Sequence, residues 1–378
     1  MHMEEALMAS EEAVNCWRIL CKENRIAYAP ALASALQNLC STLSEIGSKE
    51  YALATIQKVM RIWREISASE PRRGPRLAST FGMLSLCYTG VGAHKEALTA
   101  IHKAVEIQRA LAKVQGDSES RRSLAQYMGN LNATQSKLGS FEEAFETIQE
   151  STAILRNLML AVDTTSPFIK SLLAWYLSNL SVALYEHERE NEALEAIREA
   201  VAIQRDLVKE RPLACTPQLA AYLSNLHFSL AALDFHDEAL IAIQEGVELQ
   251  RNIVKDHPAI HRSQLVTSLG NLAAGLLMVN RLPEAEAPIR EAVDISRELA
   301  RERPAVYKCV LASSLFSPAF GWVRLEDGQA ALSTIQESVK IYRDLVNVWQ
   351  MLGMIMAPLQ LDRKRVCSGV RVQEEAVQ

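Results

Sequence analysis

The sequence predicts an all-α fold, a solenoid of antiparallel helix pairs, and three observations carry that expectation. One short phrase centred on an alanine is written eight times at intervals of 45 to 49 residues, at Ala6, Ala52, Ala97, Ala144, Ala193, Ala239, Ala285 and Ala331. Apolar residues around each copy fall at the four-then-three spacing of one helical face. Hydrophobic residues make up 49% of the 378-residue chain but aromatic residues only 6%, the balance of helices packed on helices. A fixed period of this length means that each copy is one supersecondary unit whose apolar faces are buried by its neighbours.

Each copy divides into two helices. The second, helix B, holds the alanine and, four residues on, an isoleucine: Ile56, Ile101, Ile148, Ile197, Ile243, Ile289 and Ile335, with Ser10 the exception. Twelve residues after the alanine stands an arginine in every copy: Arg18, Arg64, Arg109, Arg156, Arg205, Arg251, Arg297 and Arg343. Pro71, Pro212, Pro258 and Pro304 follow seven residues later, where helix B ends. The arginine column could be an anion-binding spine, but a structural ladder is the stronger expectation. A cation near a helix C-terminus gains about 0.3–1 kcal/mol, its stem covers apolar surface, and Glu106, Glu248 and Asp294 stand three residues before Arg109, Arg251 and Arg297.

The first helix, A, precedes every alanine except Ala6 and carries a stripe of large apolar residues. Its copies read Leu32-Leu36-Leu39, Leu77-Phe81-Leu84, Leu124-Met128-Leu131, Leu173-Leu177-Leu180, Leu219-Leu223-Leu226 and Leu265-Leu269-Leu272, followed by Leu311 and Leu315 with Pro318 interrupting. It closes at Gly47, Gly92, Gly139, Asp234 or Asn280, residues that tolerate a left-handed cap. Three segments result: a partial repeat with helix B alone (1–29), the array (30–346), and an irregular C-terminal cap and tail (347–378) that includes Arg363-Lys364-Arg365.

The run from Asn225-Leu226 through Ala239 to Ile243 resembles the tetratricopeptide repeat: a large residue, Asn-Leu, a turn, a small alanine and a large apolar residue. That family's usual period is about 34 residues, so these longer copies are similar to the repeats of kinesin light chains. Leu32-Ala33-Ser34-Ala35-Leu36-Gln37-Asn38-Leu39 also resembles arrays attached to STAND ATPases and CHAT proteases. HEAT repeats share the period, but the small alanine early in helix B and the glycine turns fit the tetratricopeptide layout better. The resemblance implies a right-handed superhelix whose concave groove is lined by helix A, and a role in binding a protein or peptide. It also implies that the asparagine before the last stripe leucine holds a bound peptide's backbone, which picks out Asn38, Asn130, Asn179, Asn225 and Asn271, with Met83 and Ser317 at the two remaining positions. The competing reading is an amide that bonds a neighbouring helix. Other groove positions carry over to Ser34, Gln37 and Ser41, to Trp175, Ser178 and Tyr185, to Phe228, Leu277 and Met278, and to Phe320. Lys137 and Arg324 are too few to clamp a partner's C-terminal carboxylate, so an extended peptide or amphipathic helix with apolar anchors is the expected occupant.

A formal net charge of -5 argues against a nucleic-acid partner. No apolar stretch approaches the roughly 20 residues that span a bilayer, and Met1-His2-Met3-Glu4-Glu5 is acidic where a secretory signal is basic. No membrane partner and a cytoplasmic location are therefore expected. The seven cysteines form no CxxC pair, and Asp256, His257 and His261 are split by Pro258, so no metal is expected. The sequons at Asn132 and Asn179 fall within predicted helices and are read as chance matches. Without a phosphate loop, HExxH or GxSxG motif, the chain is read as a non-enzyme with no cofactor, serving as an interaction scaffold or adaptor. The alternative, prompted by the lone first helix B, is a regulatory array belonging to a larger STAND ATPase or CHAT protease. Oligomeric state leaves no mark in the sequence.

Overall fold

The computed structural model describes residues 2–67, 74–161, 166–256, 258–304 and short helical pieces between 307 and 344. Pro71, His257, Leu315, Ser317, Pro318, Phe320, Arg324, Ala331 and the segment 347–378 lie outside the described residues. The described elements are all helices: α1 (His2–Glu23), α2 (Arg25–Glu45), α3 (Lys49–Ser67), α4 (Gly74–Gly90), α5 (His94–Gln115), α6 (Ser118–Leu138), α7 (Phe141–Ala161), α8 (Pro167–Glu186), α9 (Glu190–Glu210), α10 (Pro212–Ala232), α11 (His236–Asp256), α12 (Pro258–Met278) and α13 (Leu282–Glu302). Odd-numbered helices are helix B and even-numbered ones helix A. The chain forms two compact units, Met1–Ala183 and Leu184–Gln378. In the first, consecutive helices pack on one another from α1 through α7; in the second, from α9 through α13.

The expected cores are in place. Ala52, Ala97, Ala144, Ala193, Ala239 and Ala285 are buried, as are the isoleucines four residues after them from Ile56 to Ile289. Ala6 is exposed, on the one helix B that no helix A precedes in this sequence. The helix A stripe is buried from Leu124 to Leu223 and from Leu265 to Leu272, while Leu32, Leu77 and Leu226 are half-buried. Trp63 on α3 is the bulkiest fully buried side chain among the described residues.

The turns from A to B follow the residues expected to make them. Gly47, Gly92 and Gly139 adopt φ of 80–85°, and Asp234 and Asn280 adopt 63° and 61°. Each turn carries the six-to-one backbone bond of a left-handed cap, for example Ser48 N to Leu43 O at 2.9 Å and Phe235 N to Leu230 O at 2.9 Å. The fourth such turn uses Glu188, at φ 58°, a residue whose type gives no hint of that role. Between α9 and α10 only Arg211 intervenes, and Pro212 is the first residue of α10. Proline therefore opens helix A as well as ending helix B, at a position whose backbone N–H has no intrahelical acceptor.

Four members of the arginine column form a structural ladder, and the carboxylates they reach most closely are not those on their own helices. Arg109 reaches Glu150, Arg205 reaches Glu245, Arg251 reaches Glu291 and Arg297 reaches Glu337, at 2.5–2.7 Å. Each partner lies six residues after the signature alanine of the following repeat, so the bond ties one helix B to the next. Arg205 stands five residues before the end of α9, too deep in the helix for its C-terminal dipole to be the reason it is there. Arg297 adds a longer contact, 3.9 Å, to Asp294.

Candidate functional site

The exposed face of helix A is the candidate surface. On α8, Phe168, Trp175 and Val182 recur every seven residues, two helical turns apart, and are 48%, 42% and 46% exposed. Large apolar side chains left open in one row on a helix whose opposite side is fully buried mark a surface that something else can cover. Asn179, half-buried, sits one turn beyond Trp175 on the same face. The Arg122 guanidinium of α6 lies 5.2 Å from the Phe168 ring centroid, which holds that ring as the stripe's first anchor. Trp175 stands on edge against Tyr176, which is itself buried.

The remaining groove candidates divide. Asn38 is exposed and Asn130, Asn225 and Asn271 are half-buried, so none of the five asparagines is sealed in the core. Ser34 and Asn38 line an open cavity of about 700 Å³ between α1 and α2, with Trp17 and Pro30 on its walls and Arg76 of α4 at its edge. Gln37 is committed elsewhere: its amide donates to the Thr80 hydroxyl at 3.2 Å, linking α2 to α4. In the second unit Tyr185, Phe228 and Met278 are exposed and Leu277 is half-buried. Phe228 packs edge-on against His227. Ser178 departs from expectation. It is 3% exposed, one residue after the stripe leucine Leu177, and belongs to the core rather than to a contact surface.

The family models that match are "Tetratricopeptide repeat", over residues 173–212 and 265–300, and "Anaphase-promoting complex subunit 5", over 21–70, 113–177 and 301–361. The chain is built of long-period tetratricopeptide repeats. No curated protein matches it. Among solved structures, the array is similar to BtubC (BKLC) from P. vanneervenii, at 17% identity and TM-score 0.54, over 67% of this chain and 92% of that one. It is also similar to the apo form of RapI, at 13% identity and TM-score 0.57, over 83% and 99% of the two chains. The apo quorum sensor NprR from B. thuringiensis aligns at 14% identity and TM-score 0.57, over 90% and 83%. These likenesses concern the fold.

Within the tetratricopeptide array, one set of positions escaped the sequence reading. In three repeats the residue after the last stripe leucine of helix A bonds the carbonyl of the signature alanine twelve residues on. Cys40 does so to Ala52 at 3.4 Å, Asn132 to Ala144 at 2.7 Å and His227 to Ala239 at 3.0 Å. Three different side chains thus perform one task, clamping helix A to helix B across their turn. This also gives the Asn132 sequon a structural explanation, since its amide is spoken for. The only available signal was positional, a polar or thiol residue twelve before the alanine at Cys40, Ser85, Asn132, Ser181 and His227, though not at Ala273. Burial depresses the His227 pKa, against the pull of its bond to Ala239 O, so the ring is neutral with Nδ1–H donating. Cys40 also meets Cys87 of α4, sulfur to sulfur at 3.5 Å; that contact and burial push the Cys40 thiol up and keep it protonated.

Among the described residues, no group of three or more His, Cys, Asp or Glu is placed to hold a metal ion, and no helix is long and apolar enough to cross a membrane. His261 bonds the Gln264 amide at 2.8 Å.

Proposed function

We propose that this array is a protein-interaction scaffold that takes an extended peptide or amphipathic helix of a partner protein on the exposed face of helix A. The observation that carries the reading is the row Phe168, Trp175 and Val182 on α8, open to solvent beside the half-buried amide of Asn179. Apolar anchors spaced along one face supply affinity, and a carboxamide with both donor and acceptor supplies register to a peptide backbone. The similarity to a model named for a subunit of a multiprotein complex supports a protein partner. Scaffolding of this kind needs no chemistry from the chain.

The reading is tested with Trp175→Ser and Val182→Ser combined. Both side chains are exposed, so the fold loses little, whereas capture of partner proteins drops several-fold relative to the unchanged chain. Capture that stays the same while helicity is retained contradicts the reading. Asn130→Ala with Asn179→Ala and Asn225→Ala then separates backbone registration from apolar anchoring.

A further inference from the structure

The Arg–Glu ladder changes sign in the first repeats. At the interfaces from α5 to α7, α9 to α11 and α11 to α13, and from α13 to the helical residues 335–344, the arginine twelve after one alanine meets the glutamate six after the next. The same register places Lys58 opposite Arg18, between α1 and α3, and Lys103 opposite Arg64, between α3 and α5. The intervals are the same as in the closed rungs: 40 and 39 residues here, against 40 or 41 there.

All four of these cations are exposed. Among the described residues none of them has a carboxylate partner. Arg18 donates to the Asn15 amide oxygen at 3.2 Å, Lys103 lies 5.6 Å over the Phe81 ring, and among the described residues Lys58 and Arg64 make neither hydrogen bond nor ion pair. Arg61, one turn before Arg64, is exposed as well. The acidic groups nearest in sequence do not cancel the column. Glu65 is engaged by Arg25, and Glu106 stands alone, three residues after Lys103. Like charges set in the register that ion pairs occupy elsewhere repel unless an anion lies between them.

We propose that Arg18, Lys58, Arg61, Arg64 and Lys103 form a docking strip for an acidic peptide segment, whose carboxylates take the places that Glu150, Glu245, Glu291 and Glu337 fill in the other repeats. The strip runs along the helix B side of the first unit and is separate from the helix A face. A peptide is favoured over a nucleic acid because the chain as a whole is acidic, at -5, and repels a long polyphosphate.

The test uses the full chain and a fluorescein-labelled peptide of alternating Glu and Ser, read by fluorescence anisotropy. The unchanged chain binds it at low salt, and binding fades as ionic strength rises. Lys58→Glu with Lys103→Glu converts both open rungs into closed ones. Binding then falls by about tenfold or more, while the melting temperature holds or rises, so a folding defect cannot account for the loss. Trp175→Ser with Val182→Ser leaves binding of this probe unchanged, which separates the strip from the helix A face. Absence of binding by the unchanged chain, equal binding by the double-glutamate variant, or tighter binding of a single-stranded oligonucleotide of the same charge overturns the proposal.

Discussion

Gly129→Ala is expected to destabilise the first unit, although the same change at an open helix position stabilises. Gly129 lies inside α6, where alanine is favoured over glycine by about 0.8–1.0 kcal/mol. Its missing side chain is the seat of Tyr176 from α8. A Cβ at Gly129 would stand 2.0 Å from the Tyr176 hydroxyl oxygen, 2.6 Å from Cε1 and 2.7 Å from Cζ. The ring has nowhere to go, being 1% exposed and anchored by its hydroxyl donating to Ala125 O at 2.8 Å. Overpacking costs about 1–3 kcal/mol, and forfeiting the buried hydrogen bond costs about 1–3 kcal/mol more. Against the propensity gain, the net loss is about 1–5 kcal/mol. Gly270 in α12 is the control: a Cβ there meets nothing within 4 Å, so Gly270→Ala gains about 1 kcal/mol. Both variants are compared by urea unfolding followed by circular dichroism. Amide exchange over α6 and α8 localises the effect, since repeat arrays open piecewise. Tyr176→Phe added to Gly129→Ala removes the closest atom and recovers part of the loss. Gly129→Ala matching or exceeding the stability of the unchanged chain refutes the reasoning.

Leu223→Ala and Leu269→Ala, each removing a fully buried stripe residue, should cost about 2–5 kcal/mol in the same assay, while Trp175→Ser stays within about 1 kcal/mol. The depressed His227 pKa means that the folded state binds fewer protons than the unfolded one. The stability contributed is therefore complete above the unfolded histidine's pKa of about 6.5 and is lost as pH falls below that value toward the lower folded-state pKa. Melting of the unchanged chain from pH 7.5 down to about 5 should show this loss, and His227→Asn, which keeps a donor to Ala239 O as Asn132 does to Ala144 O, should flatten it. Exchanging Arg251 and Glu291 for each other should change stability by no more than about 1 kcal/mol, whereas Arg251→Glu alone leaves two carboxylates facing and lowers the melting point more at low salt than at high.

The fold was legible because its determinants are local and periodic. The buried alanines, the isoleucine four residues on and the turn glycines each act within one helix pair, so their spacing survives in the sequence. Glu188 shows where that ends: its turn is imposed by the helices on either side, and a glutamate yields to them. The arginine column was visible, but its partners lie about 40 residues on, set by how one helix B rests on the next, and the nearby Glu106, Glu248 and Asp294 drew attention to the wrong carboxylates. Trp175 and Ser178 on α8 illustrate the same limit for the candidate site. The resemblance to the tetratricopeptide repeat assigned both to one surface, yet the large aromatic is exposed and the small hydroxyl is core, since the position after Leu177 faces inward in this packing. The Gly129–Tyr176 fit depends on two helices meeting and has no signature within either.

The central claim is that the exposed face of helix A is where a partner binds. It is tested most directly by placing a photo-crosslinking amino acid at Trp175 or Val182, and separately at the still more open Val114 and Leu160 on helix B. Irradiation in extract should give discrete protein adducts from Trp175 and Val182, and unlabelled Trp175→Ser chain should compete for them less well than the unchanged chain. Adducts arising equally from Val114 and Leu160, or none from the α8 positions, contradict the account.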